Sequence, residues 1–158
     1  MKELINPFEK FYQHWALVTA GKKDHFNTMT VAWGSMGTVW SRPIVTIYIK
    51  PCRYTYNFLN ENDYFTVSFY DEKYKKDMSI LGTKSGKDTD KIALTSLTPV
   101  EVNGSMSFEE ANCTIVLKKI YYQDMDINQM PSAVVNRYYT EELPHRMYIG
   151  EVVEIIEK

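Results

Sequence analysis

The clearest pattern of apolar and polar positions along this chain has a period of two. Over residues 64–70, Phe65, Val67 and Phe69 share one face and Thr66 and Ser68 the other, a period of two that predicts a half-buried strand. Residues 14–20, 26–33 and 44–50 are β-branched and aromatic runs separated by Gly, Asn and Pro clusters, which predicts three strands with short antiparallel connections. Further strands are expected within residues 99–102, 112–123 and 146–156, making at least six. Helical signals are short. Thr55 predicts the cap of a helix through Leu59 and Asn60, Tyr74, Met78 and Leu81 share a face within residues 73–81, and Pro131 opens a third helix through Ala133, Val134 and Tyr138. Without the strand-helix alternation of a parallel sheet, the pattern predicts a mainly antiparallel β-barrel or sandwich with a few peripheral helices. Full closure would protect its strand edges.

No repeat, linker or compositional break interrupts the 158 residues, so one domain over residues 1–158 is expected. A fold of that size buries roughly 70% of its extended-chain surface without needing disulfides. The formal charge of −2 argues against a nucleic-acid footprint or a polybasic membrane patch. Charges and Pro7 break the N-terminal stretch before an apolar run can form, and no run of ~18 apolar residues follows, so a soluble, cytoplasmic chain without membrane contact is expected. Cys52 and Cys113 stand far apart, without metal or redox spacing, and read as reduced thiols. The 12 Tyr and the aromatic fraction of 14% suit strands and a site for a planar ring.

Several standard sites are absent from the sequence. There is no G-x-G-x-x-G fingerprint and no G-x-S-x-G elbow. The run Gly82-Thr83-Lys84-Ser85-Gly86-Lys87-Asp88 has three residues between its glycines and Asp after the lysine, so it fails as a P-loop. His14, His25 and His145 are too scattered for a metal motif.

Three segments carry candidate chemistry, each with a plainer explanation. Residues 27–34, Asn-Thr-Met-Thr-Val-Ala-Trp-Gly, alternate small polar and apolar side chains and could line a ligand, or form an ordinary strand whose Trp33 fills core. Lys50-Pro51-Cys52-Arg53-Tyr54-Thr55 passes from a strand to a helix start. Its backbone N–H groups, Thr55 hydroxyl and Arg53 guanidinium would suit a phosphate, or amount to a plain cap beside a solvated arginine. The loop of residues 85–91 is polar and carries two lysines, as solvated loops do.

Taken together and in order, NTMTVAWG, RPIVTIYIKPCRYT, FTVSF, SGKDTDKI and HRMYIGEVVEI resemble the flavin reductase-like, FMN-binding split-barrel proteins, with the closest likeness to the flavoredoxin branch. The likeness spans residues 6–156 and is weakest over 124–144, where a helix-like insertion has no evident role. It implies an antiparallel, Greek-key split β-barrel that binds FMN, or FAD, with NADH or NADPH as electron donor. On that resemblance Asn27, Thr28, Met29, Thr30, Ala32 and Trp33 border the flavin ring system, and Arg53, Tyr54 and Thr55 take the ribityl phosphate. Ser85, Lys87 and Lys91 contribute from the loop. Lys91 and His145 are the catalytic candidates, Lys91 as a cation at the N1/C2=O edge of the ring. A homodimer with flavin near its interface is also implied. Two alternatives stay open: a flavin electron carrier fed by a protein redox partner, and a non-enzymatic barrel holding another planar ligand such as haem.

Overall fold

The structure, a computed structural model, describes residues 6–158. Among them are nine strands: β1 (Ala16–Lys22), β2 (His25–Val31), β3 (Gly34–Val39), β4 (Arg42–Ile49), β5 (Tyr64–Phe69), β6 (Pro99–Val102), β7 (Ser105–Phe108), β8 (Cys113–Asp124) and β9 (Arg146–Glu157). Helix α1 (Pro7–Glu9) runs into a π turn over Lys10–His14, and α2 (Tyr54–Glu61), α3 (Lys75–Thr83) and α4 (Ser132–Tyr138) follow. Seven strands form one antiparallel sheet in the order β2-β1-β5-β8-β9-β4-β3, and β6 pairs with β7 as a separate hairpin.

The edge strands β2 and β3 are consecutive in the chain, with only Ala32 and Trp33 between them. Three Cα–Cα steps hold Val31 and Gly34 within about 11 Å of each other. The sheet therefore has to curl until its edges face one another. They do not pair, so the barrel stays open along this seam instead of closing as edge protection had suggested. It is a split barrel, and the seam is where the candidate residues gather.

Side chains of β1, β2, β4, β5, β8 and β9 point inward and form the main core, from Val18 and Met29 to Phe65, Leu117 and Tyr148. A second core lies outside the sheet, where Leu17 of β1 meets Met78 and Leu81 of α3 and Phe108 of β7. Covered on both faces, β1 is buried from Ala16 to Gly21, which explains its near-continuous apolar run.

β5 corrects an expectation for the same reason. Its Thr66 and Ser68 are not solvated, because the β6-β7 hairpin covers them. Thr66 Oγ1 donates to the Met106 carbonyl at 2.7 Å, and the Ser68, Ser107 and Thr114 hydroxyls lie within 2.8–3.1 Å of one another. Hydroxyls at these positions satisfy one another in a buried site, while the sequence period alone reads as polar and exposed.

Other boundaries shift for local reasons. His14 ends the π turn instead of opening β1, and Trp15 at φ 66° makes the break. β3 and β7 are additional strands: Gly34, Ser35 and Gly37 weaken the β signal of the first, and β7 is only four residues long. The helix expected over 73–81 begins at Lys75, so Tyr74 sits in a preceding 3₁₀ turn. Pro131 is the residue before α4 and not its first. Arg53, not Thr55, occupies the N-cap position of α2. Cys52 and Cys113 are not joined in a disulfide. Among the described residues no helix is long and apolar enough to cross a membrane.

Candidate functional site

The Lys50-Pro51-Cys52-Arg53 run folds as a β-turn with proline at its second position, closed by Arg53 N–H to the Lys50 carbonyl at 3.0 Å. The turn delivers Arg53 to the start of α2 and to the end of α3, where its Nη2 donates to the Gly82 carbonyl at 2.8 Å. Lys91 Nζ reaches the same helix end, donating to the Leu81 carbonyl at 2.9 Å and the Lys84 carbonyl at 3.1 Å. Carbonyls left free by the last turn of a helix, with the negative end of its dipole, hold both cations in place. Lys91 is only 3% exposed, and burial first and the Arg53 charge second push its pKa down to about 8.

Opposite these cations, Asn27 Nδ2 donates to Thr55 Oγ1 at 2.8 Å and ties β2 to α2. The loop after α3 packs against this pair: a Cβ on Gly86 would stand 2.2 Å from Asn27 Oδ1, so only glycine permits the approach. Arg53, Thr55, Lys84, Ser85 and Lys91 line a hollow of about 200 Å³ with Asn27 at its wall. Two buried or half-buried cations and convergent hydroxyls suit a small anion.

Met29 and Arg53 line this hollow and also two neighbours of about 280 and 190 Å³, which share Trp33, Tyr48 and His145. Trp33, Tyr48 and His145 in turn wall a cavity of about 680 Å³ beneath α1 and α4. The hollows thus run from the anion pocket along the open seam into an aromatic chamber. The Trp33 ring lies 5.2 Å from the His145 ring and 5.3 Å from Tyr138. Tyr139 Oη is 2.6 Å from His145 Nδ1. Burial first, and the Lys50 charge second, lower the His145 pKa to about 4, so its imidazole is neutral at pH 7. Lys50 also donates to Glu142, which holds that carboxyl below its usual range.

The structure brings together most of the residues singled out by sequence and separates others. Asn27, Met29, Arg53, Tyr54, Thr55, Ser85 and Lys91 meet at the anion pocket, and Ala32, Trp33 and His145 at the chamber. The two catalytic candidates therefore stand in different hollows: Lys91 is with the phosphate-type cluster and not beside Trp33 and His145. Thr28 points the other way, fully buried, with its hydroxyl donating to the Val18 carbonyl at 3.1 Å. Thr30 lines the hollow of about 190 Å³ with Trp33 and His145, while its hydroxyl bonds the Met78 carbonyl of α3. Lys87 is exposed, its backbone N–H turned to Ser85 Oγ at 3.3 Å. Sequence reasoning missed Tyr48, Tyr138 and Tyr139. Tyr48 is the single aromatic residue of β4, and Tyr138 and Tyr139 are the only two of residues 124–144, so no motif spacing marked them. Among the described residues no cluster of His, Cys, Asp and Glu could hold a metal ion.

The family described as "Flavin reductase like domain" matches residues 8–158. Among curated proteins none matches the chain by sequence. Of solved structures, flavoredoxin of Desulfovibrio vulgaris (Miyazaki F) is 24% identical, with a TM-score of 0.70 over 91% of this chain and 69% of its own. Flavoredoxin from Methanosarcina acetivorans is 18% identical, with a TM-score of 0.71 over 91% and 68%. The FMN-binding protein from Thermus thermophilus, with bound p-hydroxybenzaldehyde, is 20% identical, with a TM-score of 0.73 over 100% and 81%. At these identities the likeness is one of fold.

Proposed function

Because the chain belongs to the flavin reductase-like family, which it matches over residues 8–158, we propose that it binds FMN along the open seam and works in flavin-dependent electron transfer. The observation that carries this reading is the continuity of an anion pocket holding Arg53, Thr55 and Lys91 with an aromatic groove at Trp33, Tyr48 and His145. The FMN phosphate belongs with Arg53 and Lys91, because charge-assisted bonds to a phosphate there replace water with two fixed cations. Lys91 acts in this reading at the phosphate end, and the role assigned to it at the ring edge is given up. Trp33, Tyr48 and Met29 offer flat or soft apolar surface to a ring system, and His145 stays neutral beside it.

When bound, flavin supplies the two-electron store, so the protein needs neither a nucleophile nor a metal for that chemistry. Its own residues bind, orient and exclude water. Reduced nicotinamide, NADH or NADPH, is the proposed electron donor. The chamber of about 680 Å³ next to Trp33 is the proposed place for a second ring compound, a kind of ligand that the Thermus protein of similar fold has bound. The two flavoredoxins among the structural relatives favour a second reading, a flavin carrier fed by a protein partner.

Purified protein should be yellow or should take up FMN stoichiometrically. A colourless preparation whose melting temperature and flavin fluorescence ignore added FMN and FAD would remove the assignment. Steady-state oxidation of NADH and NADPH then separates reductase from carrier: turnover with free nicotinamide favours the former, and a flavoprotein inert to both favours the latter.

A further inference from the structure

The chamber beneath α1 and α4 is walled mainly by apolar and aromatic side chains, among them Phe8, Phe11, Met36, Val134 and Tyr138. Its volume of about 680 Å³ lies within the range of small-molecule sites. Into this apolar setting His145 brings an imidazole that is 9% exposed. Its Nδ1 faces Tyr139 Oη at 2.6 Å, while among the described residues Nε2 has no protein partner.

The direction of the Tyr139 bond decides what Nε2 can do. Burial holds the phenol in its protonated form. A phenol O–H is the stronger donor and a neutral imidazole nitrogen the stronger acceptor of this pair, so Tyr139 directs its proton to Nδ1. A neutral imidazole carries one proton, so with Nδ1 accepting, Nε2 must be the N–H.

We propose that Tyr139 is a positioning residue that holds His145 as the Nε2–H tautomer, giving the chamber one fixed hydrogen-bond donor for the carbonyl oxygen of an uncharged ring compound. A charged ligand would shed its hydration against these walls without gaining a counter-charge, and a pure hydrocarbon would leave Nε2–H unpaired. A ring bearing a carbonyl avoids both costs. That such a compound exchanges electrons rests on the flavin reading; its binding does not.

The test combines the tautomer with ligand preference. Imidazole ¹⁵N spectra of the parent should show the proton on Nε2. Acetophenone and ethylbenzene, matched rings with and without a carbonyl, are titrated into the parent, Tyr139→Phe, His145→Gln and the double variant, with and without saturating FMN. Acetophenone should bind the parent about tenfold more tightly than ethylbenzene, and Tyr139→Phe should remove most of that preference while leaving ethylbenzene unchanged. In the His145→Gln background the amide carries its own donor, so adding Tyr139→Phe should change little. A parent proton on Nδ1, equal binding of the two rings by the parent, or parallel losses for both rings in Tyr139→Phe would each overturn the proposal. FMN titration of the same samples keeps the readings apart: ring preference without FMN uptake retires the flavin assignment alone, and FMN uptake without ring preference retires this one.

Discussion

Arg53 and Lys91 hold the end of α3 and also face the anion pocket, and different ligands separate the two tasks. Arg53→Ala should remove a charge-assisted bond worth about 1.5–3 kcal/mol, roughly ten- to a hundredfold in FMN affinity, and leave riboflavin, which lacks the phosphate, nearly unaffected. Fluorescence titration of both flavins, with circular dichroism to confirm folding, checks this. Equal losses would mean that Arg53 supports the ring or the fold. Lys91 adds a pH dependence. With its pKa near 8 it is cationic at pH 7 and loses its proton above that value, so FMN affinity should fall as pH rises through about 8 while riboflavin affinity stays level. Lys91→Gln should abolish the slope. In the ligand-free protein the sign reverses: the folded pKa lies below the ordinary 10.5, so the unfolded chain binds more protons between those values and stability rises across that window. At this scale the sequence was partly legible. Arg53, Asn27 and Trp33 stood in recognisable runs, but nothing in the spacing of residues 85–91 distinguishes buried Lys91 from exposed Lys87.

At the scale of elements, two connections constrain which residue can stand in them. The two-residue β3-β4 turn places Trp40 at φ 51° and Ser41 at φ 57°, where a side chain is disfavoured. Ser41→Gly should relieve about 1 kcal/mol and raise the melting temperature by roughly 2–4 °C, as calorimetry would record. The loop carrying Gly86 responds in the opposite sense. A Cβ there would press on Asn27 Oδ1 at 2.2 Å, so Gly86→Ala should disturb the Asn27–Thr55 bond and weaken FMN by about tenfold with far-ultraviolet dichroism unchanged. Unchanged affinity would place the phosphate away from this loop. The strands β1, β2, β4, β5, β6, β8 and β9 were readable because alternating or continuous apolar runs record which face is covered. β3 and β7 were not: β3 is glycine-rich and held by its pairing with β4, and β7 is only four residues long with both faces buried.

For the whole molecule, Trp40, Tyr122, Val153 and Ile155 remain 60%, 54%, 43% and 49% exposed around β3-β4, β8 and β9. Apolar side chains left in water in that number suit a second copy of the chain, and two-fold pairing is the commonest closed assembly. Light scattering in saturating FMN should give about twice 18.5 kDa; a mass near the single-chain value would sink the dimer.

By itself the sequence determined the mainly antiparallel β class, the family resemblance and the chain positions of the polar strand and of the strand-to-helix turn. These depend on periodicity and on local backbone chemistry, which neighbours in the chain settle among themselves. Only the tertiary structure decided that the sheet stops short of closure and that Lys91 joins Arg53 at the end of α3. It also turned Thr28 away from the site and brought Tyr139 onto His145 beside Trp33. Lys91 beside Arg53 and His145 beside Trp33 join segments far apart in the chain, and the open seam follows from the curl of a sheet whose two edge strands are only Ala32 and Trp33 apart; no local pattern encodes such meetings.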